Sequence, residues 1–463
     1  MSTMRAAALS TFLACALALT SCVSLPQVNS DAQPVAAREN PIVATAKGRL
    51  ARKQAADLLA KRWAKATPDM KALALLEEAA TGVPLIAGNK VTLLFDGPIT
   101  MKEMMAAASA AKSSINLETY IFDQDPVGLQ FADLLIEKRR QGLTVNVLYD
   151  SVGAMATPPE FFARMKAAGV NVLAFNPVNP TKRIGKWELN NRDHRKLMVV
   201  DGKAAFTGGI NISSTYANSS FFRSSRKPET VDKKKVGWRD THIKIEGPAV
   251  ASLQWNFINA WVDQDAGDLA EADYFPSLPP MGDKIVRVLA TDPDRESEIY
   301  KAFIIAIQEA KTSVHITSAY FVPDQQFVDA LVAAAKRGVD VKLVLPGVSD
   351  HGLVMHAGRA FYETLLSNGV RIFQLQVAVL HAKTAVIDGT WSTVGSANID
   401  RRSFLHNYEL NVVILDPAFG RDMESAYAED LRDSKEVTLQ EWRRRPISDR
   451  IKEFASRLTE YWI

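Results

Sequence analysis

The chain has 463 residues, 47% hydrophobic and 23% charged, with 55 Lys and Arg against 52 Asp and Glu for a formal charge of +3. That is the composition of a packed protein, and its charge balance excludes a general nucleic-acid binder. Two cysteines cannot make a disulfide framework or a Cys-rich zinc site, and beyond the N-terminus no run approaches the ~18–20 apolar residues of a spanning helix.

Residues 1–5 carry one positive charge, and residues 6–19 are small and apolar, interrupted only by Ser10, Thr11 and Cys15. Leu19-Thr20-Ser21-Cys22 follows. This resembles a bacterial lipoprotein signal, in which the chain is cut before the Cys and its sulfur receives a diacylglycerol. Cys22 is the expected lipidation site, because Cys15 lies inside the apolar core. Val23 after it implies the outer membrane under the bacterial sorting rule. The expectation is a cell-envelope protein, lipid-anchored through Cys22 and facing the periplasm. Residues 23–41, with Pro26, Pro34 and Pro41, read as an extended, flexible spacer. Residues 44–65, rich in Ala, Leu, Lys and Arg, predict a helix with a basic face, solvated or touching anionic lipid.

From residue 91 strand and helix patterns alternate. Strands are predicted at 91–95, 115–122 and 144–149, with helices at 101–112 and 129–141. The order restarts with strands at 285–289, 314–321 and 341–345 and helices at 298–311 and 326–337. This predicts an α/β sheet covered by helices. The halves also match in detail. Ser114-Ile115-Asn116-Leu117 aligns with Ser313-Val314-His315-Ile316, and the segment around Gly142 aligns with that around Gly338. The repeat is too long for a solenoid and implies a duplicated domain whose halves face one site.

The strongest repeat carries the chemistry. His194, Lys196, Asp201, then Gly208, Gly209 and Asn211 correspond to His381, Lys383, Asp388, then Gly395, Ser396 and Asn398. His to Lys is two residues, Lys to Asp five and His to Asn seventeen in both halves. A single His-x-Lys is usually a surface strand; two with the same Gly and Asn downstream are not an accident. His and Lys two apart share one face of a strand and would meet a phosphate together. Asp201 and Asp388 have the opposite parity and precede Gly, a hairpin signal, so a structural or orienting role is favoured over direct catalysis. The glycines with Ser396 allow close backbone approach to a phosphate, and the two Asn can donate to it.

Two such faces suit a phosphodiester. One imidazole, with His194 favoured, can attack phosphorus to form a phosphohistidine. The other can protonate the leaving alcohol and then deprotonate the incoming one. The scheme needs no metal or other cofactor, and the sequence offers no obvious ligand cluster. It does need one neutral and one protonated His.

These paired motifs resemble the phospholipase D superfamily, from about residue 91 to the end. The closer resemblance is to bacterial cardiolipin synthases. It is carried by Glu118-Thr119-Tyr120-Ile121-Phe122, Ala319-Tyr320-Phe321-Val322-Pro323-Asp324, the segment around His381, Gly395-Ser396-Ala397-Asn398 through Phe404, and residues 442–458. The resemblance implies two duplicated phospholipase D-like α/β sandwich domains packed pseudo-symmetrically around one active site. The expected division is 1–22 signal peptide, 23–90 tether and basic helical segment, 91–277 first half and 278–463 second half. It implies transfer of a phosphatidyl group onto phosphatidylglycerol, with phosphatidylethanolamine as a second candidate donor. The expected partners are phospholipids and a membrane surface, with no nucleic acid. Hydrolysis as a phospholipase or other phosphodiesterase stays open, as does a non-catalytic lipid-binding lipoprotein. The resemblance also implies a carboxylate for each His: Asp240 in the first half, Glu409 in the second. The stretch before Asp240 carries the aromatic and basic residues 221–227 and 233–235, which suit either a lipid interface or a surface loop.

Overall fold

The computed structural model describes residues 24–32, 40–64, 70–179, 190–217, 237–265, 267–293, 295 and 297–457. The signal segment with Cys22 and the basic stretch 221–235 lie outside the described residues.

Among the described residues, the two halves fold with the same strand order. In the first, Asn171–Phe175, Thr144–Asp150 and Ser114–Thr119 run parallel, and Leu197–Val200 then pairs antiparallel. Ala204–Gly208, Thr241–Glu246 and Leu85–Phe95 follow, all antiparallel. In the second the order is Arg371–Leu375, Asp340–Pro346, Ser313–Ser318, Lys383–Ile387, Trp391–Gly395, Asn407–Leu415 and Lys284–Thr291, with Ser434–Val437 on the outer edge. Leu85–Phe95 pairs antiparallel with Lys284–Thr291, joining the halves into one sheet. The parallel strands are separated by the helices that cross between them, as parallel pairing requires.

Among the described residues, three large apolar cores result, with a smaller cluster around Phe373, Leu375 and Tyr427. Helices Gly97–Ala110, Pro126–Arg140 and Pro159–Ala167 cover one face of the first half, burying Met104, Phe131, Leu135 and Phe161. Helices Glu298–Glu309 and Gln325–Lys336 cover the corresponding face of the second, burying Phe303, Ile304, Phe327 and Leu331. The third core lies between the halves. Val199 and Ala205 meet Val386 and Val394 there, with helices Val250–Val262 and Pro417–Arg432. Hiding both faces of each sheet explains why the strands read as near-continuous apolar runs.

The N-terminal region departs from expectation. Residues 44–65 are not one helix: Val43–Thr45 and Gly48–Arg49 form a small hairpin, and the helix spans Arg52–Trp63. The β-branched Val43 and Thr45 favour a strand, and Gly48 turns the chain at φ 99°. The helix keeps Arg52, Lys53, Lys61 and Arg62 exposed but buries Ala55, Leu59 and Trp63, one face at helical spacing. A second helix, Met70–Thr81, escaped the sequence reading. Within the supposed spacer, residues 24–32 dock on the second half: Leu25 and Val28 are buried, and Ser30 N–H donates to Gln308 Oε1 at 2.9 Å. The apolar residues there are too sparse to show a period but sufficient to pack.

Helix Met70–Thr81 is tied in by charge. Glu77 is fully buried, with Trp391 Nε1 donating to it and the Arg287 guanidinium at 3.8 Å. Replacing Glu77 with Ala strands a buried guanidinium, so unfolding in urea should show a loss of about 3–5 kcal/mol. Unchanged stability would mean that these helices are not part of the folded body.

Candidate active site

Each motif His enters the site on a short stretch of extended chain just before its strand. Two two-residue ladders fix these stretches, and both join one half to the other. Arg192–Asp193 runs parallel to the start of Asn407–Leu415, with Tyr408 opposite Asp193. Trp238–Arg239 runs parallel to Val379–Leu380, with Arg239 opposite Leu380. His194 N–H donates to Tyr408 O at 3.0 Å, and His381 N–H donates to Arg239 O at 2.8 Å. The next residue on each partner strand is a carboxylate. The register therefore sets Glu409 beside His194 and Asp240 beside His381.

The sequence reading assigned each His the carboxylate of its own half; the structure crosses them. His194 Nδ1 lies 3.0 and 3.1 Å from the two oxygens of Glu409. His381 Nδ1 lies 2.7 Å from Asp240 Oδ2. A carboxylate only accepts, so Nδ1 of His194 carries the hydrogen and Nε2 presents its lone pair. The surroundings of the two rings differ. Glu409 also accepts from Ser396 Oγ at 2.5 Å and Asn407 Nδ2 at 3.1 Å. His381 Nδ1 additionally has Lys383 Nζ at 3.0 Å and the Tyr216 hydroxyl at 3.3 Å. Lys196 and Lys383 each donate to the carbonyl of the His two residues earlier. Between the paired side chains themselves, Lys383 Nζ also approaches the His381 ring.

Burial dominates the electrostatics. It pushes the His194 imidazole down to about 4, against the pull of Glu409. Burial, with the Lys383 and Lys196 ammoniums, holds His381 well below its ordinary value. Burial also lowers Lys196 to about 7 and Lys383 to about 8. It raises Asp240 to about 6. Burial alone would raise Glu409 as well, but His194, Lys196 and Ser396 hold it below the usual carboxylate value. Near neutral pH both imidazoles are thus neutral, and a phosphate anion between them favours protonating one.

The rings line a cleft of about 360 Å³ between the halves. Tyr120 packs edge-on to His194 at 5.0 Å, while Trp238 tilts over His381 at 4.8 Å. Arg192, Arg402 and Asn407 also line the cleft, as do Tyr320, Asp350 and His351. Charges of both signs act around each ring: Asp150, Arg402 and Arg192 on Tyr120 beside His194, and Lys383, Lys196 and Asp350 on His381. Sequence reasoning missed these residues as site residues. Tyr120 and Tyr320 had a usable signal, since each follows the second strand of its half. Arg402 lies in a segment that carries the family resemblance, but the repeat does not single it out, because Thr215 holds the equivalent position.

The remaining expected site residues divide. Asn211 and Asn398 line the cleft. Asn211 Oδ1 accepts from Ile121 N–H at 3.0 Å and its Nδ2 donates to Tyr216 Oη at 2.9 Å, whereas Asn398 Oδ1 is buried without a hydrogen bond. The glycines face protein. A Cβ on Gly209 would lie 2.1 Å from Asp240 Oδ1, and one on Gly395 2.1 Å from Asn411 Oδ1. One on Gly208, at φ 154°, would lie 2.5 Å from Thr241 O. They make room for a carboxylate and a neighbouring strand, which corrects the expectation that they cradle phosphate. Ser396, in the place of Gly209, fills the space and bonds Glu409. Asp201 and Asp388 are not in the cleft. Each has positive φ, 53° and 52°, and each is followed by a Gly at positive φ, as the hairpin turn requires. Asp201 accepts from the N–H groups of Lys112, Ser113 and Ser114, and Asp388 from those of Lys311, Thr312 and Ser313. Their work is to clamp the chain entering each half's second strand.

Among the described residues no group of three His, Cys, Asp or Glu could hold a metal ion, and no helix is long and apolar enough to cross a membrane.

Comparison with known proteins gives the family. A family model described as "Cardiolipin synthase, PLD-like domain" matches twice, over residues 104–221 and 303–431. The chain is 34% identical over 416 residues to the major cardiolipin synthase ClsA of Bacillus subtilis, covering 89% of this chain and 83% of that one. It is 33% identical over 379 residues to the probable cardiolipin synthase YwiE of the same organism, covering 80% and 71%. Among solved structures, a phosphatidylserine synthase of Haemophilus influenzae superposes with a TM-score of 0.62 at 15% identity, covering 84% of this chain and 98% of that one. That last likeness concerns the fold. With both motif-bearing halves matched and a third of its residues shared with relatives along most of its length, the chain belongs to the cardiolipin synthase family of phospholipase D-like proteins.

Proposed function

We propose that this protein transfers a phosphatidyl group from one phospholipid to the glycerol hydroxyl of phosphatidylglycerol. One observation carries the reading: two buried imidazoles, one from each half, face a single cleft, each with Nδ1 held by a carboxylate of the opposite half.

His194 Nε2 attacks phosphorus, forming an N–P bond as the P–O bond to the departing alcohol breaks. Protonated His381 gives its proton to that alcohol oxygen. The incoming hydroxyl then returns a proton to His381 and attacks phosphorus, and the N–P bond breaks. We assign the nucleophile to His194 because ionised Glu409 meets its Nδ1 with both oxygens, fixing the ring and stabilising the charged adduct. Lys196, Lys383, Asn211 and Asn398 stabilise the phosphoryl oxygens. Asp201 and Asp388 act on the scaffold. The division into 1–22, 23–90, 91–277 and 278–463, the acylation of Cys22 and a place on the periplasmic face of the outer membrane complete the proposal. The sequence alone supports the anchor and the location.

Pure protein with phosphatidylglycerol, with and without phosphatidylethanolamine, should yield cardiolipin by mass spectrometry. Phosphatidic acid as the sole product would replace transfer with hydrolysis.

The two imidazoles can be told apart with a phosphatidyl ester of nitrophenol, whose leaving group needs no proton. His381→Ala should release about one equivalent of nitrophenol in a burst and retain an acid-labile phosphoenzyme, while His194→Ala should do neither. The opposite pattern would move the nucleophile to His381.

The rate should also be bell-shaped in pH. As pH falls through about 6, Asp240 takes a proton and stops ordering His381. As pH rises through about 7 and then 8, Lys196 and Lys383 lose their charge. On a soluble short-chain substrate, kcat/KM from about pH 5 to about pH 9 should peak between these limits, and Asp240→Asn should remove the acid limb. A rate still climbing at the alkaline end would contradict these roles.

A further inference from the structure

Helix Ile447–Arg457 is amphipathic, but it is docked inside out. A surface helix ordinarily turns its apolar stripe to the core. Here Glu453 and Ser456 face inward, 2% and 5% exposed. Ile447, Ile451 and Phe454, one stripe at i, i+4 and i+7, are 73%, 62% and 70% exposed. The inward face is held by charge: Glu453 Oε2 accepts from Arg445 Nε and Nη2 at 3.0 and 2.8 Å, and Arg359 Nε lies 3.4 Å from Glu453 Oε1. The orientation is thus fixed by a buried carboxylate.

Three large apolar side chains in one exposed row mark a contact surface. Its position says what it contacts. The helix packs against Gly352–Arg359, whose Val354 lines the catalytic cleft and whose Leu353 is 50% exposed. The stripe and the cleft wall are therefore carried by adjoining helices. At 100° per residue Arg450 and Arg457, both exposed, flank the stripe on one side. An apolar row edged by guanidinium groups beside a cleft matches the acyl boundary and phosphate layer of a bilayer.

We propose that helix Ile447–Arg457 seats the cleft on an anionic bilayer, its apolar stripe among the acyl chains and its arginines at the phosphates. The idea rests on the reading that the substrate is a phospholipid, and it names the surface by which that substrate is reached.

The test uses the full chain with Cys22→Ser, so that no acyl chain contributes, and compares it with the same chain carrying Ile447→Glu, Ile451→Glu and Phe454→Glu. Co-sedimentation with phosphatidylglycerol vesicles should weaken at least tenfold in the triple variant. Arg450→Ala should weaken it about fivefold at low salt. Turnover of vesicle substrate should fall in parallel, while turnover of a dispersed short-chain phosphatidyl ester should not change, which also shows that the site is folded. Equal vesicle binding by both chains would overturn the proposal. So would a dimer that the triple variant dissolves without loss of vesicle binding, which would give the stripe to a second copy. If neither chain turns over any lipid, the functional reading fails, and the sedimentation comparison still decides the docking surface.

Discussion

The structure depends on placing two imidazoles out of water with a carboxylate against each, supplied from the opposite half. An isolated half would expose an unpartnered His and a carboxylate with nothing to hold. The duplication therefore did not produce two sites. It produced one site in which each motif is incomplete until its counterpart arrives. The cost is burial of charge, visible in the depressed imidazoles and ammoniums and in the raised Asp240.

Other charges hold the halves in the necessary register. Arg239 forms a two-pronged pair with Asp430 at 2.7 and 2.9 Å, joining the strand before Asp240 to helix Pro417–Arg432 of the other half. Arg195, between the first His and Lys, reaches Asp292 at 2.6 Å and Glu409 O at 3.3 Å. Its counterpart Ala382 makes no such reach, so the pseudo-symmetry is broken where the halves are fastened. A shared apolar core behind these pairs makes relative sliding of the halves expensive, which suits a site whose reacting atoms come from both.

Much of this was legible in the sequence because it is local. Alternating apolar runs located the repeated strands and helices to within a few residues, although the strand predicted at 91–95 begins at Leu85, where Gly88, Asn89 and Lys90 interrupt the pattern. The Asp-Gly pairs at 201 and 388 announced hairpins that backbone geometry requires of those residue types. Pairwise spacing brought His194 and Lys196 together, as it did His381 and Lys383. The crossing of the carboxylates was not legible, since it depends on two short ladders between segments more than a hundred residues apart. The glycines show a different kind of miss. Spacing revealed that the positions must be small, but only the packed structure shows that Asp240 and Asn411, not a ligand, take the space. The docking of residues 24–32 is not legible because Leu25 and Val28 have no period to display; each is buried against distant residues of the second half.

The docking of residues 24–32 bears on how the body could move against a surface. Leu25 is fixed in the second half, and three residues of fully extended chain span at most about 11 Å. Anything attached to Cys22 is thereby held on a leash shorter than one domain. An anchor there would act as a pivot, not as a long tether. It would hold the docked end of the body close to the anchored surface while leaving the rest free to rock and turn.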